Sequence, residues 1–195
     1  MKETEPLSAE QSLDLITSMI LEAKANLQRN NFFYLFWGWI IVIGNVGMYA
    51  LTKTGYGHPY AVWAITIPAW IFTLIKVFGG QRHSRVKTHL GSINGWLWLC
   101  FGISTFIIVA FGYKINFQIN PMILTIAAIP TVISGLILKF RPLILGGIGF
   151  WIFAIIGFLV SQEIQPLIGA AAIICGYLVP GYMLKSNRDG NVQRS

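Results

Sequence analysis

Six apolar runs follow one another along the chain, at roughly 32–52, 60–78, 91–112, 121–138, 143–160 and 167–184. Each is close to the 20 or so residues that a helix rising 1.5 Å per residue needs to cross a hydrocarbon core of about 30 Å. They predict an all-α, polytopic integral membrane protein of six transmembrane helices. The connections Thr52–Pro59, Tyr113–Asn120 and Ser161–Pro166 are short, and Pro121 suits the first turn of span 4, where its missing N–H costs nothing. Ahead of the first run the period changes. Leu13, Ile16, Ile20, Ala23 and Leu27 recur at spacings of three and four, with Glu10, Asp14, Gln28 and Arg29 off that seam. Pro6, then Ser8 and Gln11 at capping-box spacing, start this element. It predicts an amphipathic helix over 8–30 that lies at the headgroup level, docks on the protein's own loops, or pairs with a second copy or a partner.

The chain therefore divides into a helical segment (1–31), a six-span bundle (32–185) and a tail (186–195). Taken in pairs, the spans read as three helical hairpins of similar length. Each first helix carries glycine beside aromatics (Trp37-Gly38-Trp39, Gly95-Trp96-Leu97-Trp98, Gly149-Phe150-Trp151). Each second helix holds an internal proline (Pro68, Pro130, Pro180) and ends in lysine (Lys76, Lys139, Lys185). Duplication of a two-helix unit would produce this, although glycine, aromatics and proline are common in membrane helices generally.

Composition agrees with the pattern: 55% of residues are hydrophobic, 11% are charged, and mean hydropathy is +0.64. Six spans nearly exhaust the 195 residues and leave no room for a separate soluble domain. The net charge of +7 is placed rather than spread. Twelve of the 14 Lys and Arg residues lie in alternate connections: Lys2, Lys24, Arg29; Lys76, Arg82, Arg85, Lys87; Lys139, Arg141; Lys185, Arg188, Arg194. Lys53 and Lys114 are the two in the other connections. Short cytoplasmic loops retain basic residues, so both termini are expected in the cytoplasm. The same placement explains the charge without nucleic acid and offers attraction to anionic lipid headgroups. No apolar run precedes Phe32, so span 1 is expected to direct insertion without a cleavable signal. Compact loops and the lack of an Asn-x-Ser/Thr site suit a bacterial cytoplasmic (inner) membrane.

Chemistry is sparse. No Asp, Glu, Lys, Arg or His lies in the interior of a span, Lys76 standing at the end of one, whereas coupled transport, a retinal Schiff base or a haem axial pair each asks for one. Cys100 and Cys175 lack CxxC spacing and read as inert apolar residues. No catalytic, metal or cofactor motif rises above background, and none of these is expected. Two sets of residues remain. Asn45, Thr66, Trp70, Ser104, Thr105 and Thr131 would line a weakly polar pocket among spans 1–4, opened by kinks near Pro68 and Pro130. Read structurally, the same amide and hydroxyls join helices by hydrogen bonds. Lys76, Arg82, His83, Arg85, Lys87 and His89 form a basic connection fit for anionic headgroups or a partner, or simply one that obeys the positive-inside rule. His83 and His89 have no Cys or carboxylate nearby to complete a metal site.

Two function classes follow. The first is a non-enzymatic accessory, scaffold or regulatory subunit, joined to a protein partner or to itself through residues 8–30 and the basic loops. The second is a small uncoupled transporter, channel or carrier for a neutral or lipid-like solute.

Overall fold

The computed structural model describes residues 32–80 and 89–183, all helix, turn or short connection, without a strand among them. Helix α1 spans Phe32–Lys53 and α2 spans Thr66–Gly80, preceded by a 3₁₀ segment at Pro59–Ile65. Pro68 cannot supply the N–H that an α-helix would send back to Ala64, and the tighter turns stand just ahead of it. Helix α3 spans His89–Ala110, α4 Ile119–Ile137 and α5 Arg141–Leu159. Helix α6 runs Gln165–Met183, α-helical to Ile173, then a π-helical turn at Ile174–Leu178, then α again. Among the described residues six helices are thus long and apolar enough to cross a membrane, within two residues of the expected spans, which marks a multi-pass membrane protein.

Successive helices run in opposite directions, so the molecule has two ends. At one, the Phe32 end, Trp39 Nε1 of α1 donates to Tyr182 OH of α6 at 3.1 Å. At the other, the Lys53 end, Lys53 pairs with Glu163 at 2.9 Å across an exposed surface.

The core sits among α1, α4, α5 and α6 around Tyr34, Leu124, Ala128, Leu143, Phe150, Ala172 and Tyr177. Small residues set its tightness. A Cβ at Gly147 would fall 2.9 Å from the backbone N of Val132 on α4, and one at Gly146 would fall 2.6 Å from the Gly176 carbonyl oxygen on α6. Backbones approach this closely only where no side chain intervenes. Among α2 to α6, the most extensive packing joins α4 to α5. These helices belong to different hairpins in the pairwise scheme, so the hairpins are not separate packing units here. The π turn of α6 has a local reason as well. Pro180 supplies no N–H to Gly176 and crowds its carbonyl, and the wider turn ahead of it relieves that crowding. Phe150 of α5 presses its ring against the bare Cα of Gly176.

The amphipathic segment 8–30, the tail, and Arg82, His83, Arg85 and Lys87 lie outside the described residues. His89, expected in the basic connection, is instead the first residue of α3.

Candidate functional site

Polar groups inside the bundle form two clusters, one toward each end. Toward the Lys53 end, Asn120 in the first turn of α4 donates from Nδ2 to Asn45 Oδ1 (2.7 Å) and to the Gln165 carbonyl (3.1 Å). Asn45 also donates to the Ile41 carbonyl one turn back in α1, at 3.0 Å. The Gln165 side-chain amide donates to Gln118 Oε1. Asn45 is 1% exposed and Gln165 3% exposed. A single amide therefore clasps α1, α4 and α6. It lies across Gly169, where an added Cβ would meet it at 2.5 Å.

The second cluster lies toward the Phe32 end. Thr131 donates to the Ala127 carbonyl at 2.6 Å, which uses its one proton, so the 2.9 Å contact with Tyr177 OH has tyrosine as donor. Ser134 donates to Asn94 Oδ1 (2.7 Å) and accepts from Trp98 Nε1 (3.2 Å), joining α3 to α4. Tyr34, Trp98, Phe101, Phe150 and Tyr177 enclose these hydroxyls edge to face or tilted, with ring centroids 5.0–6.3 Å apart.

The six residues expected around one pocket are not brought together. Asn45 belongs to the first cluster and Thr131 to the second. Thr66 bonds back to the Trp63 carbonyl of its own helix at 2.6 Å. Trp70 rests on Trp37 and over Gly102, with 45% of its surface exposed. Trp63, in the 3₁₀ segment ahead of α2, covers Gly44 and donates to Met48 Sδ. Ser104 and Thr105 lie on α3, and Thr105 Oγ1 is buried without a hydrogen-bond partner. Of the basic set, Lys76 is exposed and sits 5.8 Å from the centroids of the Phe32 and Phe72 rings, a cation–π position at the membrane boundary.

Asn120 and Gln165 are the residues that sequence reasoning missed, since both were assigned to loops. Their signal is local. Each immediately precedes a proline near a span start, Asn120-Pro121 and Gln165-Pro166, and each lies in the first turn of its helix instead of in the connection.

The two hollows that stand out among the described residues touch none of the six. One, beside Tyr34 and Phe140, has no room for a water. The other is a shallow apolar groove of about 310 Å³ between the first half of α5 and the last part of α6. No three His, Cys, Asp or Glu side chains cluster among the described residues.

Burial is uneven around the bundle. In the membrane-length windows 56% of α6 and 44% of α4 are buried, against 6% of the second span and none of the third. Helices α2 and α3 instead display Ile67, Ile75, Trp96, Ile103 and Phe106 outward. No family model, curated protein or solved structure matches the chain.

Proposed function

We propose that this chain is a non-enzymatic accessory, scaffold or regulatory subunit of a cytoplasmic membrane, with both termini in the cytoplasm, acting by association. The observation that carries this reading is the contrast between a consumed interior and an uncommitted flank. Polar groups inside the bundle bond to one another or to helix backbone, whereas α2 and α3 bury few or none of their residues fully and turn large apolar side chains outward. Two spans so little used by their own fold have surface to offer a second membrane protein, where packing of apolar faces supplies the attraction. Residues 8–30 and the basic connections would extend the same contact into the cytoplasm. The carrier alternative has weaker support, because its six lining residues are distributed over separate contacts.

Photo-crosslinkers placed at Ile75 and Phe106, with Leu159 of α5 as the exposed control, test this in native membranes. A discrete protein adduct at the first two positions and none at Leu159 is expected. Lipid adducts alone at all three would refute it. Deleting residues 1–30 should then weaken recovery of that adduct while leaving the spans inserted.

A further inference from the structure

The α5–α6 groove and the charge at its mouth fit one kind of occupant. We propose that this groove holds an acyl chain of an anionic phospholipid whose headgroup sits at Lys139 and Arg141. The proposal rests on the membrane-spanning reading but is independent of any protein partner. Along α5 the groove runs from Pro142 to Phe153, about 16 Å at 1.5 Å per residue, which is about half of a 30 Å hydrocarbon core. That is the depth one leaflet's chain occupies. It is open at Gly149, which has nothing within 4 Å of where a Cβ would stand.

Charge selects the headgroup. Arg141 directly precedes Pro142 at the mouth, Lys139 stands two residues earlier in the turn, and both are exposed. Lys139 adopts φ +52°, so the α4–α5 turn is sharp and holds the two cations close along the chain. Glu163, the one acidic residue among those described, is paired with Lys53 at the opposite end of the bundle. Nothing described at the Phe32 end therefore neutralises these cations. The α5 N-terminus adds its positive end of the helix dipole, with no side-chain cap competing for it. Guanidinium and ammonium groups favour a headgroup of net negative charge over a zwitterionic one, whose phosphodiester already carries its own cation.

The test uses the full chain in phosphatidylcholine vesicles containing phosphatidylglycerol, followed by gentle extraction and native mass spectrometry. One retained phosphatidylglycerol per chain is expected, enriched roughly tenfold or more over its share of the vesicle, as two surface cations would give. K139Q/R141Q should bring retention down to the vesicle ratio. G149L, which fills the groove but keeps both cations, should also abolish it. If G149L does not insert, alkylating Cys175 after assembly in a C100A chain blocks the same groove, which Cys175 lines. Retention unchanged by blocking the groove would overturn the proposal in favour of simple surface attraction. Retention unchanged in K139Q/R141Q would overturn the headgroup assignment. A chain dimer lost on blocking the groove would assign it to a second copy instead. Soluble glycerol phosphate added in excess should not displace the lipid, and displacement would show a free phosphate site.

Discussion

Replacing Asn120 by alanine removes an amide that holds three helices at once. Two bonds disappear, at 2.7 Å to Asn45 and 3.1 Å to the Gln165 carbonyl. Interhelical bonds of this kind average roughly 0.6 kcal/mol in membrane proteins, so together they contribute about 1.2 kcal/mol. Asn45, 1% exposed, then keeps a buried Oδ1 with no donor, which costs about 1 kcal/mol more. The expected loss for N120A is therefore about 2 kcal/mol. N45A in that background removes the orphaned oxygen, and the bond the two amides share is lost only once, so the double variant should be about 1.6 kcal/mol more stable than the two single losses summed. Equilibrium unfolding in mixed micelles, followed by tryptophan fluorescence, measures all four corners of the cycle. Additivity within about 0.3 kcal/mol would show that the two amides do not interact, and the clasp would have to be abandoned.

Other perturbations separate the contacts that matter from those that do not. Thr105→Val should leave stability unchanged or raise it by up to about 1 kcal/mol, because Thr105 Oγ1 is already buried without a partner; a clear loss on the same unfolding curve would mean that it has one. Gly147→Val should destabilise by about 1–3 kcal/mol or prevent folding, since its Cβ meets α4 backbone, whereas Gly149→Ala meets nothing and should unfold like the parent. Tyr177→Phe should cost less than about 1.7 kcal/mol, because Thr131 retains its bond to Ala127; a larger drop in midpoint would point to a wider network. Glu163→Gln should leave the unfolding midpoint unchanged at any salt concentration, the pair with Lys53 being fully in solvent; a salt-dependent shift would contradict that.

Span positions were legible from hydropathy because a bilayer imposes one length on every crossing helix, and α1, α4 and α5 fall almost where the apolar runs do. The partners of polar residues were not legible, because they depend on which helices meet. Thr131 reads from the sequence as one hydroxyl among several, and only the placement of α6 gives it Tyr177. Asn120 and Gln165 were lost for a related reason: an amide beside a proline signals a chain reversal, and the sequence does not say on which side of the turn it points. Pro180 was legible only as an internal proline of the sixth span, and the π turn ahead of it, pressed by Phe150, required Gly176 to face α5. The pairing of α4 with α5 was hidden by a hairpin pattern that set them apart.

The clasp at Asn120 also sets an order of events during synthesis. Membrane helices insert first and pack afterwards. Gln165, whose carbonyl Asn120 needs, and Tyr177, which donates to Thr131, both belong to α6, which leaves the ribosome after the other five described spans. Until that span arrives, five helices rest in the bilayer with Asn120 and Thr131 only partly satisfied, free to rearrange or to engage another protein. Arrival of α6 ends that interval, so its insertion acts as the latch that commits the newborn chain to one arrangement.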